Sequence, residues 1–201
     1  MKSTKALRVH VLYESSANGV PHGCSTIRLL RPLSHPLICE EFSLTHSMSL
    51  DVQPADVVIV ERLLDQVCDW PSHLAMLQAI RAQGTKIIYE IDDDLLSVNI
   101  EVGARVWPTL AQKMWLRQMV KFADGVIVST SDLGERLAAL NSNIEIVENA
   151  LDERLFEKTR EISCREAGGV IVFGYMGTFS HLNDLMSVIH PRSEERRVGI
   201  Q

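Results

Sequence analysis

The chain has 201 residues, 46% of them hydrophobic, and a formal net charge of −6. This length suffices for one full domain and part of another, and no apolar run reaches the length of a membrane span. The negative charge, with no Lys/Arg block before the last ten residues, disfavours nucleic acid as the main partner.

The N-terminus has a basic start but lacks the apolar core of a signal peptide, so we expect a cytoplasmic protein. The four cysteines are scattered and form no C-x-x-C pair, which indicates reduced thiols. The seven histidines show no ligand spacing either, so the sequence predicts no metal site from these residue types.

The chain begins with an alternating, β-rich run, Leu7–Tyr13, which predicts the first strand. A loop with two glycines, Gly19 and Gly23, follows, and Ser25 is placed to cap a helix that runs to about Leu33. A weaker strand is predicted at 38–44, and residues 45–55 are polar and typical of a loop.

The next unit has the pattern of a strand buried on both faces, Asp56–Glu61. Asp69 then caps a helix with Pro71 in its first turn and Gly84 just past its end. A further apolar strand follows at Lys86–Ile91.

The clearest helix is predicted over 108–122, with an apolar stripe at Leu110, Met114, Trp115, Met119 and Phe122. A buried strand at 125–129 follows, and Thr130 or Ser131 caps a helix through Leu140. A last strand is predicted at Ile144–Val147.

This alternation of strands and helices predicts an α/β fold with a doubly wound parallel sheet over residues 1–156. Right-handed crossovers place all the carboxyl ends of the strands on one side, where ligands bind in such sheets. The charged stretch 157–168 is predicted to be a linker.

A second unit begins at 169–190, where a strand runs into Gly174–Thr178 and a helix starts near His181. This turn could meet a phosphate through helix amides or could be an ordinary strand-to-helix turn. We expect this second domain to be truncated after its first strand, loop and helix. The run RSEERRVGIQ resembles the translation of a sequencing adapter, so residues 191–201 are expected to be a non-native, disordered tail.

Four carboxylates cluster at the end of the strand in KIIYEIDDDLL: Glu90, Asp92, Asp93 and Asp94. A buried strand can hold them only at a high cost in free energy. An unpaired buried charge costs roughly several kcal/mol unless the group is neutralised. They should therefore lie where the strand leaves the sheet. Two interpretations stay open: a functional cleft, or a solvated turn with helix-capping aspartates.

Five segments together resemble the N-terminal portion of a GT-B glycosyltransferase of the glycosyl-transferases-group-1 type. They are NGVPHGCSTIRLLRPL (18–33), YEIDDDLL (89–96), ADGVIVSTSDLGERL (123–137), VENALD (147–152) and FGYMGTFSHLNDL (173–185). The resemblance implies two Rossmann-like domains that face each other across a cleft. The N-terminal domain mainly holds the acceptor, and the second domain mainly holds the donor.

The resemblance implies transfer of a hexose-like sugar from a nucleotide-sugar donor to a glycan, a lipid-linked or another acceptor. It implies no metal and no cofactor besides that donor substrate, and it allows peripheral membrane contact without a transmembrane segment. Because the donor domain is incomplete, we expect the chain to be inactive alone.

The resemblance also implies site residues. No histidine stands in YEIDDD where many relatives carry a His-Asp element, so Asp92 or Asp93 would polarise the acceptor hydroxyl. Residues expected to contact substrate are Gly19 and Gly23, which let the first loop approach, Arg28, Glu90, and Asn149 in the turn where Glu148 replaces the usual proline. Those expected to face the donor phosphates are Gly174, Gly177 and Thr178. Arg28 could equally be a solvated helix charge.

Two other functions stay open. Asp92-x-Asp94 fits the D-x-D element of a metal-dependent GT-A transferase, in which carboxylates hold Mg²⁺ or Mn²⁺ against a diphosphate. That hypothesis leaves the second strand-loop-helix unit unexplained. The third is a non-catalytic Rossmann-like binding module, because a fold alone does not determine function.

Overall fold

A parallel sheet of six strands forms the centre of the N-terminal unit in the computed structural model. The structure describes residues 6–14, 19–48, 52–64, 68–102, 105–155 and 186. Its strands are β1 (Leu7–Leu12), β2 (Phe42–Ser47), β3 (Val57–Glu61), β4 (Lys86–Ile91), β7 (Gly125–Val128) and β8 (Ile144–Ile146). The strand order is β2-β1-β3-β4-β7-β8, and each neighbouring pair is parallel. The predicted α/β fold with a parallel sheet is confirmed.

The helices connect these strands. They are α1, which is the π-helical segment Ser25–Leu30 continued by the α-helical turn Arg31–Leu33, then α2 (Trp70–Ala82), α3 (Leu110–Phe122) and α4 (Ser131–Leu137). A 3₁₀ turn, Glu153–Leu155, follows the last strand. An antiparallel hairpin that the sequence did not predict, β5 (Ile100–Val102) with β6 (Arg105–Trp107), lies between β4 and α3.

Apolar cores cover both faces of the sheet, because consecutive strand residues point to opposite sides. The larger core joins β3, β4 and β7 to α2, α3 and α4, and the smaller joins β1 to α1. The members of the larger core include Val58, Val60, Leu77, Ile87, Tyr89, Ile91, Trp115, Leu116, Met119 and Leu137. Those of the smaller are Val9, Val11, Tyr13, Leu29 and Ile59. Helices on both faces are consistent with the predicted doubly wound, Rossmann-like arrangement.

The position of the chain reversal decides where a ligand would bind. From β1 the chain passes outward to β2 and then returns to β3 on the other side of β1. In open α/β sheets, ligands bind at the carboxyl ends of the strands beside such a switch. The loops after β1, β3 and β4 therefore border the expected crevice.

Some local predictions differ from the structure. Ser25 is not a cap, since Gly23 and Cys24 are already helical and the Ser25 hydroxyl points into the sheet edge. The second strand begins four residues later and ends three residues later than predicted. In α3, Leu110 is 76% exposed and Met114 is 60% exposed. The buried face keeps Trp115 and Met119 of the predicted stripe, and its other members are Gln112, Leu116 and Val120.

The chain divides into two units, Met1–Glu157 and Lys158–Gln201. The predicted linker (157–168), the second-domain start (169–190, apart from Met186) and the tail (191–201) lie outside the described residues. Among the helices of the described segments, none is both long enough and apolar enough to cross a membrane.

Candidate functional site

Two glutamates lie side by side at the carboxyl ends of β3 and β4. Glu61 and Glu90 are partners in the register of the two strands, and both are fully buried. Glu61 accepts hydrogen bonds from the Glu14 amide at 3.0 Å and from the Ser25 hydroxyl. Among the described residues, Glu61 Oε1 and Glu90 Oε2 have no hydrogen-bond partner. Burial raises the pKa of each carboxyl to about 7.

Arg28 connects three elements at this edge of the sheet. Its side chain is 4% exposed and donates from Nε to Glu90 of β4. It also donates from Nη1 to Asn149 Oδ1 at 2.6 Å and from Nη2 to the Val147 carbonyl at 3.1 Å. The structure thus brings together three predicted site residues, and Arg28 is not a solvated helix charge.

Arg62, which no sequence pattern singles out, is a second buried cation at the same edge. Its backbone lies in the left-handed region (φ 40°), and its carbonyl accepts a hydrogen bond from Tyr89 Oη at 2.9 Å. Its guanidinium faces the carboxylates of Glu14 at 3.2 Å and of Asp92 and Asp93, each at 3.7 Å. Burial by itself would lower the pKa of Arg62. The charges of Glu14 and Asp92 raise this pKa by more than burial lowers it, so the net shift is upward.

Asp92 lies between two cavities. The first, of about 300 Å³, we call the Arg28 cavity, and it is lined by Cys24, Ile27, Arg28, Asp92, Asn149, Ala150 and Leu151. The second, of about 240 Å³, we call the Arg136 cavity, and it is lined by Asp92, Asp93, Asp94, Ser129, Thr130, Asp132, Leu133 and Arg136. The Asp92 side chain is 10% exposed, and its Oδ1 has no hydrogen-bond partner in the described part of the chain. Ser129 Oγ donates to the Asp92 carbonyl at 2.6 Å, which holds the backbone of Asp92 in place.

The three adjacent aspartates have different surroundings. Asp94 Oδ1 accepts from the Ser97 amide at 3.2 Å, and its Oδ2 pairs with Arg136 at 2.7 Å, so Asp94 stabilises a turn. The Asp93 side chain is 61% exposed, and its Oδ2 lies 3.7 Å from Arg62 Nη1. The turn interpretation therefore fits Asp94, and the functional-cleft interpretation stays a prediction for Asp92, which lines two cavities.

The glycines of the first loop lie at exposed positions. Gly19 has φ 72°, a conformation that favours glycine, and Gly23 opens α1 next to Cys24 of the Arg28 cavity. The predicted donor-side residues Gly174, Gly177 and Thr178 lie outside the described residues.

One possible metal-ligand group occurs in the described ranges, made of His35, Asp152 and Glu153. Hydrogen bonds from Arg154, and from Arg31, lower the pKa of the Asp152 carboxyl, and His35 Nε2 lies 2.8 Å from Glu153 Oε1. These oxygens already bind cationic or polar partners, so the group is better explained as a link between α1 and the segment after β8.

Cys24 is the thiol of the Arg28 cavity. Burial first, and then the neighbouring Asp92, raise the pKa of Cys24 to about 12. A thiol with so high a pKa carries little thiolate and is a poor nucleophile near neutral pH. The chemistry of this cavity therefore belongs to its carboxylate, its guanidinium and its amide.

Comparison with known proteins does not extend these observations: no protein-family model matches the chain, and no curated protein matches it.

Proposed function

We propose that residues 1–156 form the acceptor-side domain of a GT-B glycosyltransferase. The whole protein would transfer a sugar from a nucleotide-sugar donor to a glycan, lipid-linked or other acceptor in the cytoplasm, with or without peripheral membrane contact. Support comes from the sequence resemblance together with the parallel sheet. The observation that carries the proposal is the Arg28 cavity, where Asp92, Arg28 and Asn149 line one space at the carboxyl ends of the strands.

The residues of the cavity suit an acceptor with several hydroxyl groups. Asp92 offers a carboxylate, Asn149 offers an amide, and Ile27 and Leu151 offer apolar surface for a sugar face. A carboxylate within hydrogen-bond reach of a hydroxyl can take its proton as the oxygen attacks a sugar carbon. The nucleotide diphosphate would leave with the electron pair of the broken bond.

The other parts of the proposal concern the donor. By resemblance, Gly174, Gly177 and Thr178 would meet the donor phosphates. We expect the 201-residue chain to bind acceptor saccharides weakly.

Saccharide binding tests this proposal. Saturation-transfer NMR of the 201-residue chain with a panel of neutral oligosaccharides should detect weak binding, and Asp92→Ala should weaken it at least about tenfold, since a hydrogen bond to a charged group contributes about 1.5–3 kcal/mol. Asp56→Asn, at the amino end of β3, is the control and should bind like wild type. Absence of saccharide binding would count against the proposal.

Manganese separates the GT-A alternative from this one. In the structure, Asp92 faces Arg62 and Asp94 pairs with Arg136, so the two carboxylates of D-x-D have different cationic partners. We expect calorimetry with Mn²⁺ alone to show no micromolar site. A micromolar site that disappears in Asp92→Ala would favour the metal-dependent transferase.

A further inference from the structure

The segment that follows β8 forms one wall of the Arg28 cavity. Three of the seven residues that line this cavity belong to the segment, namely Asn149, Ala150 and Leu151. We call residues 148–155 the strap. We propose that the strap is a movable cover, held against α1 by Arg31 and by His35, and that its release admits ligands to the Arg28 cavity. The inference concerns access to the cavity, and it rests on the proposed function only for the nature of the ligand.

The strap begins where the sheet ends. The Val147 amide donates to the Val128 carbonyl of β7 at 2.8 Å, which fixes the chain up to this residue. Beyond Val147, every residue of the strap is exposed or half-buried. A segment that buries little apolar surface opens at a lower free energy than the core of a domain. The strap is therefore a part of the domain that can leave its position while the sheet stays folded.

Side-chain contacts with α1 and with the turn after it hold the strap in place. Arg31 Nη1 donates to Asp152 Oδ2 at 3.1 Å, and Arg154 Nη2 donates to the Arg31 carbonyl at 3.2 Å. His35, just past α1, has its Nε2 2.8 Å from Glu153 Oε1. The Arg31 and Glu153 side chains are exposed. Solvent and salt weaken charge contacts of this kind, so the fastening is reversible.

Arg28 contacts both the fixed and the movable part of this region. Its ion pair with Glu90 is almost completely buried, and it also donates to the Val147 carbonyl, at the end of the fixed chain. Its contact with the strap, from Nη1 to Asn149 Oδ1 at 2.6 Å, is exposed. When the strap leaves, the buried ion pair keeps Arg28 in position, and Nη1 can donate to an oxygen of a ligand. Asn149 therefore holds the place of a ligand oxygen while the strap is closed.

The reactivity of two cysteines distinguishes release of the strap from unfolding. Cys24 lines the Arg28 cavity, whereas Cys68 is buried in the larger core. Alkylation by iodoacetamide at one fixed pH is followed on each cysteine by mass spectrometry of its peptide. The Cys24 rate measures opening of the cavity, and the Cys68 rate measures unfolding of the domain. Burial and the charges of Asp92 and Arg62 shift the pKa of Cys24, so variants at other positions in the fastening act on this thiol through the strap.

The double variant Arg31→Gln/His35→Gln removes the charges that hold the strap. It should raise the Cys24 rate about threefold to tenfold, because two exposed charge contacts are lost, and leave the Cys68 rate unchanged. The control is Arg8→Gln, which removes an exposed ion pair with Asp56 at the amino end of the sheet and should change neither rate. High salt should raise the Cys24 rate of wild type toward that of the double variant.

The outcomes separate this inference from the proposed function. An unchanged Cys24 rate in the double variant would show that the strap is a fixed wall and would overturn the inference. A joint rise of the Cys24 and Cys68 rates would also overturn it, since the strap and the core would then open as one unit.

Neutral oligosaccharides, from the panel that tests the proposed function, supply the second arm. Bound in the Arg28 cavity, they should slow the alkylation of Cys24 in wild type. A raised Cys24 rate in the double variant without protection by any saccharide would count against the proposed function and support the movable strap. Protection by a saccharide with no response to the double variant would support the proposed function and overturn the strap.

Discussion

Arg28 and Glu90 form an ion pair that is almost completely removed from water, with side chains 4% and 0% exposed. Removing one partner of a buried pair leaves an uncompensated charge and typically costs about 3–5 kcal/mol. Arg28→Ala should therefore lower the free energy of unfolding by about that much, as measured by urea denaturation. The loss includes the contacts of Arg28 with Asn149 and the Val147 carbonyl.

An exposed ion pair of the same chemistry serves as the control. Arg8 and Asp56 pair at 2.6 Å with side chains 41% and 38% exposed. Solvent and salt screen exposed pairs, so Arg8→Ala should have a much smaller effect than Arg28→Ala. Equal losses in the two variants would contradict the structural role assigned to Arg28.

Single residues of the site were predictable where local sequence determines their place. Asp92 and Asn149 each follow a strand, and parallel strands end on one side, so the sequence placed them at one edge. Glu61 was interpreted as a charge that bounds a strand, although it is fully buried. The burial of Glu61 depends on contacts with Glu14 and Ser25, which lie far away in the sequence. The role of Arg62 likewise depends on its distant contact with Glu14.

At the scale of elements, two glycines differ in how much space their surroundings leave for an added Cβ atom. A Cβ at Gly125 of β7 would lie 2.9 Å from Asn143 Nδ2, which itself donates to the Asp124 carbonyl at 2.7 Å. A Cβ at Gly134 of α4 would meet methyl groups of Ile144 and Val128 at an ordinary 3.6 Å. The first site is therefore overpacked by a methyl group and the second is not.

We expect Gly125→Ala to destabilise the protein by about 1–3 kcal/mol, which is typical of overpacking. Gly134→Ala should stabilise it by about 0.5–1 kcal/mol, because alanine favours a helix over glycine by about that amount. Thermal denaturation of the two variants measures both effects. The expectation is wrong if both substitutions change the melting temperature in the same direction.

The positions of strands and helices are predicted best where the residue pattern fits only one type of element. The apolar runs of β3, β4 and β7 lie at their predicted positions, because strands buried on both faces carry few polar residues. The strand β2 lies at the edge of the sheet and has one pairing partner, so its sequence is mostly polar and its start is predicted four residues too early. In α3, the capping box of Thr109 with Gln112 and the burial of Gln112 rotate the buried face away from Leu110 and Met114.

At the scale of the whole molecule, the paired glutamates link folding to pH. Burial raises the pKa of Glu61 and of Glu90 to about 7, above the value of about 4.3 for an unfolded glutamate. Between these values the folded protein binds more protons than the unfolded chain, so stability falls as pH rises. The contribution is fully present below about pH 4 and is lost as pH passes about 7. Hydrogen bonds lower the pKa of Asp152 and Glu153, and their opposite effect is confined to more acidic solution.

The free energy of unfolding should therefore decrease by roughly a few kcal/mol as the pH rises from about 5 to about 8. Glu61→Gln removes one of the buried carboxyls whose pKa is raised, while its amide oxygen can still accept from the Glu14 amide and the Ser25 hydroxyl. This variant should be more stable than wild type at about pH 8 and should show a smaller pH dependence in urea denaturation. Glu40→Gln, on an exposed turn, is the control and should keep the wild-type slope. A wild-type slope in Glu61→Gln would mean that Glu61 stays ionised in the folded protein, and the buried strand ends would then have to hold a full negative charge beside Glu90.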